Sequence, residues 1–276
     1  MKLYLLRTIV AAALLALTTP AFSAEPGNPQ KQLQELIAKI NTKIQAGQKT
    51  PEALADEMKQ FDVLLTEHQK EKTDDVAQIL LMKAVLYLQV FGDNEKGREL
   101  VKKLQADFPK TKQGQQADQM LANIEKSEAA KKIQSALVVG AKFPDFKEMD
   151  INGKPISVSS YKGKVALLDF WATWCGPCIA ELPNVLATYQ KHHAKGFEIV
   201  GISLDRDEQK LRSFIKENNM PWQQFFDGQA WQNKLAQNYG VMSIPATWLV
   251  DREGTIIGRD LRGEELEKAV ATALGK

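Results

Sequence analysis

The sequence predicts two domains of different class, an all-α helical domain over residues 25–136 and an α/β domain with a mixed central sheet flanked by helices over residues 137–276. Apolar residues recur at intervals of three and four through the first stretch, whereas the second alternates short β-rich runs with helical stretches. The length of 276 residues suits two domains of ordinary size. A composition of 44% apolar and 25% charged residues excludes a fibrous, a wholly disordered or a multi-span membrane chain.

Residues 1–24 read as a secretory signal peptide. Lys2 and Arg7 precede the nine-residue apolar run Ile9–Leu17, and small residues follow Pro20 at Ala21, Ser23 and Ala24, which places cleavage between Ala21 and Ala24. A membrane anchor would need about 20 apolar residues. The mature chain is therefore expected in the periplasm, where disulfides form and persist. Residues 25–135 carry 17 basic and 17 acidic side chains, and residues 136–276 again carry 17 of each. Neither half has the basic footprint that nucleic-acid binding would need.

In the helical half, Leu33, Leu36, Ile37, Ile40 and Ile44 form one apolar stripe. Thr50-Pro51 starts a second helix, with Leu54, Met58, Phe61, Leu64 and Leu65 facing inward. Thr73 caps a third, apolar almost all round over Ile79–Val90 and so central, which Gly92-Asp93 ends. Leu100, Val101 and Leu104 mark a fourth helix, and Ala117–Ile124 a fifth. The stretch from Ala84 through Gly92, Gly97 and Leu104 to Pro109 loosely resembles a tetratricopeptide helix pair, but one unit is legible where such folds need about three, and a plain bundle explains it equally well. His68, alone among charged residues, is expected on the surface, and Ala129–Ser135 reads as the join between the halves.

In the second half, Val165–Asp169, Glu198–Leu204 and Ala246–Val250 read as strands, separated by helices over Ile179–His193 and Glu208–Asn218. Asp150–Lys154 reads as a hairpin turn between two weak strands. The only two cysteines, Cys175 and Cys178, lie between the first of those strands and the helix after it, in the string Trp174-Cys175-Gly176-Pro177-Cys178. A structural zinc site needs about four ligands, and the only nearby candidates, His192 and His193, are adjacent and point apart. A structural staple closing so short a loop would give roughly 2 kcal/mol, little for a chain this size. The third reading is a redox dithiol. A cysteine at a helix N-terminus meets free N–H groups and a dipole that favour thiolate, the attacking species in disulfide exchange.

The string Asp169–Cys178, Asp-Phe-Trp-Ala-Thr-Trp-Cys-Gly-Pro-Cys, resembles the thioredoxin active-site segment at nearly every position. Ser243-Ile244-Pro245-Ala246-Thr247 resembles the cis-proline loop of that superfamily. Phe143–Phe146, Gly153-Lys154, Gly163-Lys164, Glu181-Leu182-Pro183 and Val250–Gly254 are closer to its secreted TlpA/ResA branch. The resemblance covers about residues 137–276 and implies a thioredoxin-like fold there. It implies further that Cys175 is an exposed nucleophile and Cys178 the buried resolving thiol. Asp169 would be the buried acid that exchanges a proton with Cys178, and Glu181 either tunes the thiols or is a solvated helix residue. Pro245 would be cis, with Ile244 beside it pairing with the substrate backbone, and Gly176 and Pro177 would belong to the same substrate-facing surface. Trp174 would shield the site, Trp171 would pack in the core, and Pro183 would kink the active-site helix. A thiol peroxidase would need Pro at 168 and Thr at 172, where this chain has Leu168 and Ala172.

The Gly-Pro dipeptide and Ile244 resemble reducing members of the superfamily, so a periplasmic disulfide reductase is expected, with disulfide-containing proteins as substrates and a membrane electron donor of the DsbD/CcdA type. An oxidase or isomerase is the alternative in the same class. A scaffold whose helical domain binds a partner or self-associates is the alternative outside it. The chain carries no dinucleotide fingerprint, so no cofactor is expected, and no metal.

Overall fold

The structure, a computed structural model, describes residues 27–275, so the expected signal peptide lies outside the described residues. The described chain forms two compact units that divide between Lys126 and Ser127.

The first unit is all-helical: α1 (Pro29–Gln45), α2 (Ala55–Glu67), α3 (Asp74–Val85), α4 (Asn94–Asp107), the short α5 (Lys112–Gln115) and the beginning of α6 (Ala117–Ala136). Its starts are set by side chains that accept otherwise orphaned N–H groups. Asn28 Oδ1 accepts from Gln30 and Lys31, with Pro29 fixing the first turn, and Thr73 and Asp93 cap α3 and α4. The stripes of α1 and α2 meet α3 in a cluster containing Leu33, Ile40, Phe61, Ile79 and Met82, while other faces of α3 meet Leu104 and Phe108 in a second cluster and Val101 and Ile124 in a third. α3 widens into a π-helical turn over Leu86–Phe91 that Gly92 ends in the left-handed conformation. Where α4 crosses this turn, Gly97 allows close approach, since a Cβ there would lie 2.3 Å from Leu88 Cδ2.

Two expectations for this region are corrected. His68 is buried at 7% exposure, because its ring bridges two elements, Nδ1 lying 2.7 Å from Glu71 Oε1 and Nε2 lying 2.8 Å from Gln32 Oε1. The second helix starts at Ala55 and not at Thr50-Pro51, because residues 50–54 form a turn in which Thr50 Oγ1 accepts from the Ala53 N–H. Ala129–Ser135, expected as the join, lies within the continuous helix α6 beside the division between the units.

In the second unit, β1 (Glu148–Met149) and β2 (Pro155–Ile156) form the expected hairpin, whose turn Asp150 closes by accepting from the Asn152 and Lys154 N–H groups. A five-stranded mixed sheet follows, in the order β5 (Gln223–Phe226), β4 (Phe197–Ser203), β3 (Val165–Trp171), β6 (Ala246–Val250) and β7 (Ile256–Arg259). β3 runs parallel to β4 and antiparallel to β6. Helix α7 (Gly176–His192), α8 (Glu208–Glu217), the short α9 (Lys234–Asn238) and α10 (Gly263–Leu274) complete the unit. The central strands are buried on both faces, which is why they read as continuous apolar runs. This is the thioredoxin-like arrangement that the resemblance implies. At the C-terminal end of its central strand β3 the chain turns into α7, and the cysteines lie at that turn.

Candidate redox site

β3 ends at Trp171, buried and donating from Nε1 to Gln224 Oε1 at 3.0 Å. The loop Ala172–Trp174 then turns into α7. Asp205, 3% exposed, holds that loop: both its carboxylate oxygens accept from the Thr173 N–H, Oδ1 accepts from Thr173 Oγ1 at 2.6 Å, and Oδ2 accepts from Ser203 Oγ at 2.8 Å. Cys175 is the N-cap of α7 and Pro177 lies in its first turn, where a missing N–H costs nothing. The Cys178 N–H donates to Cys175 Sγ at 3.2 Å, so the sulfur sits at the positive end of the helix.

Cys175 and Cys178 are joined in a disulfide, their Cα atoms 5.2 Å apart. The expectation that Cys175 is exposed is corrected: the two cysteines are 5% and 7% exposed and both pack into the apolar core cluster of this unit. What distinguishes them is the cap position of Cys175. Gly176 and Pro177 between them are exposed. α7 continues through Pro183 as one helix to His192.

Beneath the disulfide lies a cavity of about 20 Å³ lined by Cys178, Asp169, Glu181, Pro245, Thr247 and Arg262. Asp169, on β3, lies opposite Gly201 of β4 and Thr247 of β6. The residue is partly buried between these strands, and that low-polarity shell governs its proton. Burial pushes its pKa up to about 6, with the nearby Glu181 charge adding to the rise and Arg262 opposing it. Glu181, expected either to tune the thiols or to be solvated, is partly buried and anchored: Oε1 accepts from the Gly263 N–H at 2.6 Å and Oε2 from Asn184 Nδ2 at 3.1 Å. The Ile244–Pro245 peptide bond is cis, and both residues are partly buried. Among the described residues no cluster of three or more His, Cys, Asp or Glu side chains is placed to hold a metal ion.

Apolar side chains next to the cysteines and the cis-proline in the chain are exposed. Trp174, Ile179 and Met242 are 51%, 39% and 46% exposed. Trp231 is 38% exposed and lies 5.9 Å, centroid to centroid, from Trp174. Sequence reasoning did not single out Asp205, Trp231 or Arg262. The only local sign of Asp205 is an acid directly after the β-rich run Glu198–Leu204, and nothing local marks the other two.

A vicinal cysteine pair at a helix N-terminus, a buried acid behind it and a cis-proline beside it, on this mixed sheet, define a thioredoxin-fold dithiol–disulfide oxidoreductase. The comparisons narrow the class. Residues 139–259 match the AhpC/TSA family. The thiol-disulfide oxidoreductase ResA of Bacillus thuringiensis is 30% identical over 138 residues, covering 50% of this chain and 78% of that protein. ResA of Bacillus anthracis is 31% identical over 139 residues, with the same shares. The chain belongs to the TlpA/ResA-like thiol-disulfide oxidoreductases of the thioredoxin superfamily. Among solved structures, the thioredoxin domain of a thiol-disulfide oxidoreductase from Bacteroides vulgatus is 34% identical with a TM-score of 0.46, covering 49% of this chain and 97% of that one.

Proposed function

We propose that the protein is a periplasmic disulfide reductase. The observation that carries the direction is the bare Gly176-Pro177 dipeptide: no imidazole stands between the cysteines to stabilise the Cys175 thiolate, so reduction of the pair is not made easy. In the reduced protein, the Cys175 thiolate at the start of α7 attacks a substrate disulfide, forming a mixed disulfide and releasing one substrate thiol. Cys178 loses its proton to Asp169 and attacks Cys175 Sγ, which forms the internal disulfide and releases the second substrate thiol. Two electrons pass to the substrate.

The apolar rim of Trp174, Ile179, Trp231 and Met242 suits an extended polypeptide segment with apolar residues beside its cysteine. The leader-like residues 1–24 support export. In an oxidising compartment the pair must be re-reduced, and a membrane donor of the DsbD/CcdA type fits that need. The helical unit is read as a docking or self-association module.

Equilibration with glutathione or dithiothreitol tests the direction. A reductase has a potential near thioredoxin's, about −250 mV or lower, while a value above about −180 mV would make the protein an oxidase or isomerase.

A further inference from the structure

The start of α10 reaches into the site through two consecutive residues. Gly263, in the left-handed conformation at φ +51°, presents its N–H to Glu181 Oε1 at 2.6 Å and so ties α10 to the active-site helix. Arg262, the N-cap residue, makes no side-chain cap. Its guanidinium turns to the cis-proline segment instead, Nη2 donating to the Pro245 carbonyl oxygen at 3.0 Å and Nη1 to Thr247 Oγ1 at 2.9 Å. Nη1 also donates to the Leu261 carbonyl oxygen at 2.7 Å. The planar fork suits this task, since it can bridge a carbonyl and a hydroxyl in fixed geometry and stays charged at every pH.

Arg262 is also the only cation lining the cavity beneath the disulfide, among the described residues. The groups that face Asp169 are Cys178 and Glu181 from α7, Thr247 from β6 and Arg262 from the start of α10, while β4 contributes only Gly201. Burial and Glu181 both favour the neutral acid, and Arg262 alone favours the carboxylate. A carboxylate is the form that can accept the Cys178 proton.

We propose that Arg262 is a positioning residue that holds the Pro245 carbonyl against the start of α10 and supplies the fixed positive charge that keeps Asp169 ready to take the proton of Cys178. The proposal rests on the reading of Asp169 as that acceptor. The hydrogen bonds of Arg262 go to Pro245, Thr247 and Leu261 and not to either sulfur. It acts in the second half-reaction, where the Cys178 proton passes to Asp169, the Cys178–Cys175 bond forms, and the Cys175–substrate bond breaks.

The test is single-turnover reduction of a disulfide-bonded peptide by the pre-reduced full chain between pH 5 and 9, with circular dichroism to check folding. At saturating peptide, the rise of rate with pH in Arg262→Gln moves to higher pH, so that the rate falls at least about fivefold at pH 6.5 and stays within about twofold of the parent at pH 9. Arg262→Lys, which keeps the charge and loses the fork, retains the parent profile while the peptide concentration giving half-maximal rate rises about threefold. An equal loss in Arg262→Gln at every pH, or a shifted profile in Arg262→Lys, would overturn the proposal. Asp169→Asn separates the two readings. A profile that responds to Asp169→Asn but not to Arg262→Gln sinks the role of Arg262 alone. A profile indifferent to Asp169→Asn sinks the acceptor reading and the proposal with it.

Discussion

Asp169 carries a stability cost that follows from its place in the site. Its pKa rises from an ordinary value near 4 to about 6 because burial opposes the charge. Between those values the folded chain holds a proton that the unfolded chain has released. The stabilising contribution is therefore full below about pH 4 and is lost as pH rises through about 6, leaving a cost of roughly 2–3 kcal/mol at neutral pH. Asp169→Asn is expected to be more stable than the parent by about that amount at pH 8, with the gain vanishing near pH 3.5. Urea unfolding of the oxidised chain measures it, and a gain that persists unchanged at pH 3.5 would show that packing rather than charge is responsible. The sequence made Asp169, Cys175, Cys178 and Glu181 visible because they lie within one strand–turn–helix. Asp205 reaches Thr173 across 32 residues of chain, and Arg262 reaches Pro245 and Thr247 across 17 and 15 while its neighbour Gly263 meets Glu181 across 82, and no local pattern encodes such contacts.

At the scale of elements, legibility followed burial. β3, β4 and β6 are buried on both faces and were readable as apolar runs, whereas β5 and β7 form the two edges of the sheet. β5 opens with Gln223-Gln224, and Gln224 is polar because it must accept from the Trp171 indole. The short apolar run of β7 stops at Gly258, where a Cβ would lie 2.5 Å from Leu261 Cδ1. α10 commits only Leu266 and Val270 to full burial, too sparse a stripe to stand out. The segment after β5 brings Trp231 to Trp174, which extends the apolar rim beyond what the cysteine motif itself supplies. Trp231→Ala is expected to raise KM for a polypeptide disulfide about fivefold, in line with the loss of one aromatic contact of ~1 kcal/mol, while the rate with a small disulfide such as cystine is unchanged. Equal losses with both substrates would place Trp231 in the support of the loop and not in substrate contact.

For the whole molecule, the two units have separate apolar clusters, one built around Phe61 and Ile79 and the other around Phe170 and Trp248. The last turns of α6 belong with the second unit. Gln134 donates to the Gly240 carbonyl and accepts from Arg259, and the Leu137 carbonyl accepts from Trp248 Nε1. A fragment beginning at Ser127 is therefore expected to fold and to reduce a peptide disulfide within about threefold of the full chain, whereas one beginning at Ala141 loses these three hydrogen bonds, the bond from the Gly140 N–H to the Ile256 carbonyl and the Leu137 side chain, for roughly 4–6 kcal/mol. Chemical unfolding of the two fragments compares them directly, and equal midpoints would deny α6 this role. Helical periodicity showed that α6 exists, but not where it ends, because its second half answers to partners more than 100 residues away. All five tryptophans, Trp171, Trp174, Trp222, Trp231 and Trp248, fall in the second unit. The protein is in this way optically labelled by its own sequence. Indole emission reports on the disulfide-bearing unit alone, far-UV ellipticity is weighted toward the helical one, and a single titration can show whether the two melt together or apart.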